Sequence, residues 1–150
     1  MKQAVGLMLL GLGLLASCSL SSGDPRDAVI KFLNAVNKSD TLSILQGFTL
    51  AAPYTILPDT GLWPAGDARN DTLMATRLLG ELTPGGTVFK RWKECRMVVG
   101  NAEVRGDSAK VEVTRLDQVK GVQVYNKFGV VKGRGTWRIY SFGTEQGPGL

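Results

Sequence analysis

The apolar side chains of this 150-residue chain change their spacing once, at the Pro-Gly-Gly of residues 84–86. Before that point they recur every three to four residues, as in Ala28, Phe32, Ala35 and Val36, which is the spacing of one helix face. Beyond it they alternate with polar residues, which is the period of a strand. Helices followed by antiparallel strands predict an α+β fold, with amino-terminal helices packed in the concave face of a curved antiparallel sheet of about four strands.

Capping residues set the expected helix boundaries. Asp24 is a good N-cap with Pro25 at the first helical position, and Asp40 can cap a second helix. Gly80 is expected to end a third helix as its C-cap. The predicted helices are 25–38, 41–48 and 71–79.

The strand half contains one clear hairpin. Ala102 and Val104 face the alternating series that starts at Ala109 across Arg105-Gly106-Asp107-Ser108. This tetrapeptide matches one that integrins read, but its Gly and Asp are ordinary turn residues, so a hairpin turn is expected. Further strands are predicted over 119–126 and 136–142, separated by the glycine-rich stretch 127–136. The large side chains of Trp92 and Trp137 are expected in the sheet core or on its covered face.

The first eighteen residues have the order of an export signal. Lys2 precedes an unbroken run of apolar residues and glycine from Ala4 to Ala16, too short to span a bilayer, which takes about 20 residues. The run leads into Leu15-Ala16-Ser17-Cys18, which resembles the lipobox of bacterial lipoproteins. A plain secretory signal with an incidental cysteine, or an early segment of the mature fold, are the alternatives.

The lipobox resemblance implies a processed and lipidated terminus. Leu15, Ala16 and Ser17 would be the recognition positions, and cleavage would fall between Ser17 and Cys18. Cys18 would carry an S-diacylglycerol and an N-acyl group, so that the membrane is a partner through a covalent lipid. The expected location is the bacterial cell envelope, and Ser19 favours the outer membrane if the organism has one.

These signals divide the chain into four parts. Residues 1–17 are the predicted signal peptide, and 18–23 the lipidated cysteine with a short tether. Residues 24–142 are expected to form one α+β domain, followed by a flexible tail at 143–150. Five extended residues reach at most about 18 Å, which would keep the domain close to its membrane.

Three stretches of the mature chain resemble small envelope domains of the nuclear-transport-factor-2-like, or cystatin-like cone, group. They are "DPRDAVIKFLNAVNKSD", "AEVRGDSAKVEV" and "GTWRIYSF". The resemblance implies a cone-shaped space between sheet and helices, which some members use for ligands or for acid/base catalysis. Tyr54, Asp59 and Trp63, in the Pro-rich loop 51–66, are candidate pocket residues.

The composition argues against most enzyme classes. The chain has no histidine, which removes Ser-His and Cys-His nucleophile pairs and His-ligated zinc. We expect no catalytic residues, no metal and no cofactor. The expected function is a non-enzymatic binding or assembly module whose partner is an envelope protein or small ligand. The alternative is a periplasmic small-molecule binder or cryptic enzyme that uses the cone cavity.

Positive charge is concentrated in the second half. Residues 90–138 hold twelve Lys and Arg against five Asp and Glu, whereas residues 19–89 hold five against seven. An anionic partner such as a lipid headgroup, a cell-wall polymer or a nucleic acid would suit this half. The plainer interpretation is that these are the solvated positions of amphipathic strands. The export signal argues against nucleic acid, so none is expected as a partner.

Cys95 is left as a free thiol if Cys18 is lipidated, because a thioether cannot also form a disulfide. Its alternation with Met97 and Val99 favours burial as a small apolar side chain. The neighbouring Arg91, Lys93 and Arg96 would lower its pKa if it were exposed and so make it reactive. An intermolecular disulfide is the third alternative.

The lipobox makes a direct prediction about mass. The protein purified from membranes should begin at Cys18 and carry the added mass of its acyl groups, read by intact-mass spectrometry. Substitution Cys18→Ala should remove that mass and release the protein from the membrane, since hydrocarbon burial of about 0.8 kcal/mol per CH₂ would be lost. Cys95→Ala is the control and should change neither. A mature terminus at Cys18 without acyl mass would contradict the assignment.

Overall fold

The computed structural model describes residues 23–49 and 71–143 as helices on a single sheet. The strands pair antiparallel in the order β1-β2-β3-β4, and the predicted α+β fold with a curved four-stranded sheet is confirmed. Of the predicted tether at 18–23 and tail at 143–150, residues 18–22 and 144–150 lie outside the described residues. The elements are α1 Pro25–Lys38, α2 Thr41–Gly47, α3 Asp71–Leu82, α4 Thr87–Lys93, β1 Cys95–Arg105, β2 Ser108–Asp117, β3 Val122–Gly133 and β4 Thr136–Ser141.

The two predicted N-caps are confirmed. The Asp24 carboxylate accepts a hydrogen bond from the backbone N–H of Arg26 at 2.8 Å, next to Pro25 at the start of α1. The Asp40 carboxylate accepts from the backbone N–H of Ser43 at 3.1 Å and so caps α2. Each cap satisfies a backbone donor that the first turn of a helix otherwise leaves without a partner.

The core lies between α1 and the inner face of the sheet. On β2, alternate residues are buried while Lys110 between them is exposed, as the predicted hairpin requires. Burial of side chains of this size contributes about 1.5–3 kcal/mol each relative to exposure. The residues of α1 and the sheet that belong to the buried core cluster are Val29, Phe32, Ala35, Val36, Ala109, Val111, Val113, Phe128, Val130, Trp137 and Ile139. The predicted core position of Trp137 is confirmed.

Helix α3 is longer than predicted. It passes through Gly80 and ends at Leu82, so the prediction of Gly80 as a C-cap is wrong. Leu78 and Leu82, four residues apart on one helix face, are both fully buried. Their burial outweighs the cost of about 1 kcal/mol that glycine imposes inside a helix.

Helix α4 was not predicted, because its seven residues directly follow the Pro-Gly-Gly turn at 84–86. Val88, Phe89 and Trp92 pack against the core from this helix, at helical spacing. Trp92 therefore lies on α4 and not in a strand, and its ring packs on the covered face of the sheet, 5.9 Å from the ring of Phe128.

Strand β3 replaces much of the predicted glycine-rich connection. It runs from Val122 to Gly133, whereas Val119 to Gly121 form a turn. Gly129 lies inside this strand, and the Tyr140 ring lies across it. A Cβ added at Gly129 would lie 2.6 Å from Cζ of Tyr140. Glycine here allows a close side-chain approach and does not mark a turn.

The helical position of Gly80 gives a stability prediction. Nothing lies within 4 Å of a Cβ added there, so Gly80→Ala should raise the free energy of unfolding by about 0.5–1 kcal/mol, measured by urea denaturation. Gly85→Ala is the matched control. Its site is equally open, but its φ is +110°, so alanine should destabilise by about 1–3 kcal/mol. If Gly80→Ala destabilised as much as Gly85→Ala, the helix would end at residue 79 after all.

Candidate functional site

The predicted site residues are unevenly placed in the structure. Tyr54, Asp59 and Trp63 lie outside the described residues, as does the lipobox at 15–18. Cys95 is described and is the first residue of β1. The geometry of a candidate site therefore comes from the helices and strands themselves.

Aromatic rings fill the described space between the helices and the sheet. Phe142, just beyond β4, has its ring centroid 5.3 Å from that of Phe128 and 5.5 Å from those of Phe48 and Trp92. It lies 5.8 Å from the ring of Phe32. The five rings form a cluster that joins α1, the end of α2, α4 and β3.

Two polar side chains, Arg115 and Asn126, lie on the inner face of the sheet. Arg115 on β2 is 8% exposed although charged, and it pairs in register with Met97 on β1 and Val124 on β3. The Asn126 amide donates a hydrogen bond to the backbone carbonyl of Phe142 at 3.4 Å. The inner face is thus mainly apolar, with Arg115 and Asn126 as polar positions between apolar neighbours.

A groove of about 470 Å³ separates α1 from β1. We call it the α1–β1 groove. Ile30 on α1 and Val98 on β1 are 42% and 41% exposed. The lining side chains are both apolar and polar: Ile30, Leu33, Asn34, Asn37, Trp92, Lys93, Cys95, Arg96, Met97, Val98 and Val99. Its volume is within the range of small-ligand and peptide sites.

The charge of the α1–β1 groove has one sign. Lys93 and Arg96 are the charged residues that line it, and no acidic side chain is among the described lining residues. Lys90 and Arg91 add two more exposed cations on α4, opposed by exposed Glu94. A partner with negative charge would therefore be attracted to this groove.

Lys93 fixes the width of the groove at one end. Its ammonium donates hydrogen bonds to the Asn37 side-chain oxygen at 2.7 Å and to the Asn37 backbone carbonyl at 3.2 Å. The same nitrogen lies 5.8 Å from the centre of the Phe89 ring. These contacts tie the last turn of α1 to α4, directly before β1 begins.

Cys95 lines the groove as a half-buried thiol. Burial raises the pKa of the Cys95 thiol, while the positive charge of Arg115 acts in the opposite direction. The charges of Asp117 and Glu94 raise the pKa further. Arg91, one of the cations named from the sequence, also acts to lower the pKa, but burial is the largest cause and the net direction is upward. The net direction leaves the thiol protonated near neutral pH, as expected of a partly buried apolar side chain.

Sequence reasoning missed the α1 wall of the groove, although its signal was present. Ile30, Leu33, Asn34 and Asn37 follow one another at helical spacing on a face separate from the buried stripe. An apolar residue such as Ile30 outside the main stripe indicates a second contact face. The part of the groove that Trp92 and Lys93 line lies on α4, and this helix was not predicted.

Other features of the described residues fit less well to a site. A second cavity of about 480 Å³ lies between α1, α2 and β4, but its Asp40 is already bound to Ser43. The 105–108 turn is a hairpin in which the backbone carbonyl of Asp107 accepts a hydrogen bond from the Lys132 backbone N–H at 2.7 Å. Over 23–49 and 71–143, no three His, Cys, Asp or Glu residues are grouped to hold a metal. No helix in these ranges is long and apolar enough to cross a membrane.

The raised pKa of Cys95 predicts slow alkylation. The rate of iodoacetamide reaction at the Cys95 peptide, followed by mass spectrometry, should rise with pH at a higher midpoint in the folded protein than in urea. The folded state disfavours the Cys95 thiolate, so the protonated thiol contributes to the free energy of unfolding. That contribution is complete below the unfolded pKa and is lost as pH rises through the folded pKa. Asp117→Asn should lower the midpoint, whereas Glu103→Gln, on β1 but absent from the charges that act on the thiol, should not. A folded midpoint at or below the unfolded one would refute the assignment.

Comparison with known proteins places the fold but not the activity. No protein-family model and no curated protein matches the chain. A Campylobacter jejuni protein, described as a candidate NTF2-like transpeptidase, aligns with a TM-score of 0.53 and 15% identity, covering 79% of this chain and 98% of its own. A five-substitution variant named Rd1NTF2_05 aligns with a TM-score of 0.50 and 12% identity, covering 81% and 95%. At these identities the similarity shows structure alone, and this chain has an NTF2-like fold.

Proposed function

We propose that this protein is a lipid-anchored envelope protein whose NTF2-like domain acts as a non-enzymatic binding module, with the α1–β1 groove as its binding surface. One observation carries the proposal. The groove combines exposed apolar side chains with cations and amides over a continuous volume of about 470 Å³. Apolar contacts supply affinity and the polar groups orient a partner, which is the usual composition of a binding site.

The groups that line the groove are suited to binding more than to catalysis. General acid/base chemistry takes a group whose pKa lies near the working pH, placed against the reacting atoms. The groove offers two cations, two asparagine amides and a thiol whose pKa is raised. Such groups hold an anionic or hydrogen-bonding partner without transferring protons to it.

The lipid anchor gives the binding module its place in the cell. The proposal assigns lipidation to Cys18 and tethers the domain through residues 18–23, ahead of the Asp24 cap of α1. A partner captured in the groove would then be held near the membrane surface. Two or more acyl chains suffice for stable attachment, whereas one gives only marginal binding.

A second candidate function uses the inner face of the sheet. Arg115 is a charged side chain at 8% exposure, with Asn126 on the same face of the sheet, and these two polar groups would suit a small anionic ligand. In this case the binding surface would be the cone and not the α1–β1 groove.

Site-specific photo-crosslinking in cells tests which surface binds. Benzoylphenylalanine placed at Ile30 or Val98 of the full-length protein should give one discrete adduct on irradiation. Tyr125, on the outer face of β3, is a matched control because it is 44% exposed against 42% and 41% for the groove positions. The control should give no such adduct, and Arg96→Glu should weaken the adduct at Ile30. Equal labelling at all three positions, or none at the groove, would contradict the proposed surface.

A further inference from the structure

The strand wall of the α1–β1 groove is the edge of β1 and not one of its faces. Side chains alternate between the two faces of a strand, so a cavity against one face is lined by every second residue. This groove is lined by five consecutive residues, from Cys95 through Val99. A ligand in the groove would therefore lie alongside the backbone of β1, where strand edges present N–H and C=O groups.

The two edges of the sheet differ in this respect. Along β4 the chain after α2 adds a short parallel contact, in which Phe48 bridges to Ile139 and the Thr49 N–H donates to the Ile139 carbonyl at 2.8 Å. Along β1 no described strand pairs on the outer side, because β1 is first in the order of the sheet. The described residues thus cover one edge and leave the other beside the groove.

A bulge limits the length of edge that can pair. The register of β1 against β2 is regular from Cys95 to Val99 and shifts between Val99 and Ala102. Bulges interrupt pairing and protect edges from long-range association. The regular part, five residues of about 3.4 Å each, is about 17 Å long and coincides with the lining of the groove.

The surroundings of this edge define the chemistry of an added strand. One face of the added strand would meet Leu33, Trp92 and Met97, which are half-buried and packed on the core. The other face would meet exposed Arg96, and Lys93 stands at the end of the groove. Apolar residues alternating with acidic ones match both faces.

We propose that the α1–β1 groove binds an extended, acidic segment of another protein, which adds to β1 as a fifth strand over Cys95–Val99. This inference rests on the proposed function and specifies its partner class. Backbone hydrogen bonds to β1 supply affinity, and the alternation of acidic and apolar side chains supplies selectivity. The Trp92 ring, whose centre lies 5.9 Å from that of Phe128 in the aromatic cluster, would contact the apolar side chains of the added strand.

The test uses the full-length protein in detergent and a defined probe, an acetylated heptapeptide of alternating Glu and Val. Binding should change tryptophan fluorescence and slow hydrogen exchange of the amides within 95–99. Two control peptides have the same length. One has lysine in place of glutamate, and the other carries N-methyl groups on every backbone amide so that neither of its edges can donate the hydrogen bonds of a strand. Both should bind at least 10-fold more weakly.

Charge reversal on a single strand supplies the matched variants. Arg96→Glu lies in the groove, whereas Arg105→Glu lies on the same strand beyond the bulge and changes net charge equally. Replacing one attraction at the edge of an interface by a repulsion should weaken the probe about 5- to 10-fold for Arg96→Glu. Arg105→Glu should leave its affinity within about twofold.

The outcomes separate this inference from the proposed function. Equal binding of the N-methylated peptide, equal effects of the two charge reversals, or no binding of the probe would overturn strand addition. Groove-specific photo-adducts in the same circumstances would leave the binding module intact with a different partner. Protection of 95–99 without peptide, together with a dimer in sedimentation velocity, would mean that a second copy covers this edge and would also overturn the inference.

Discussion

The packing of Phe142 against four other rings is the contact on which the described structure depends. Its centroid lies within 5.8 Å of those of Phe32, Phe48, Trp92 and Phe128, which belong to separate elements. Because Phe142 directly follows β4, the end of the sheet is joined at one point to α1, the end of α2 and α4. Tilted and edge-to-face pairs of this kind add about 0.5–1.5 kcal/mol each beyond their area burial.

The α1–β1 groove follows from the same packing. Trp92 belongs to the ring cluster and also lines the groove, so its position is set from the core side. One residue later, Lys93 binds Asn37 and sets the distance between α4 and the end of α1. The inner face of β1 then meets α1 only in part, and Cys95, Met97 and Val99 remain half-buried. Contacts of Trp92 with the core and of Lys93 with Asn37 thus position the walls of the groove, which favours a preorganised binding surface.

The sequence predicted those parts of the structure that local chemistry determines. The Asp24 and Asp40 caps, the order of helices before strands and the hairpin at 105–108 were all recognised and are present. The errors arose where tertiary contacts outweigh local preference. Burial of Leu82 stabilises the helical conformation of α3 through Gly80. Gly129 lies in a strand, where the lack of a side chain leaves room for the Tyr140 ring. No local signal could show that the ring of Tyr140, on the next strand, would lie across that glycine.

For the candidate site the balance was different. The alternation of Cys95 with Met97 and Val99 favoured burial, and Cys95 is half-buried. Burial and two carboxylates raise its pKa against the effect of the cations that sequence proximity emphasises. The pocket predicted at Tyr54, Asp59 and Trp63 stays a prediction. The groove could not be predicted without α4, because Trp92 and Lys93 of this helix line it. The sequence did not indicate α4, because three of its seven residues are cations and the segment continues directly into β1.

The arrangement of charge also refines what the basic half of the chain means. On the outer face of the sheet, Lys127 forms an ion pair with Glu103 at 2.9 Å, and this hydrogen bond lowers the pKa of the Glu103 carboxyl and raises that of Lys127. Cations there are partly balanced by neighbours, as expected for solvated strand positions. Along the α1–β1 groove no described acidic side chain lines the wall beside Arg96. An excess of one sign has meaning for binding only where it is locally unbalanced next to apolar surface, and in this fold that condition is met beside the edge of β1.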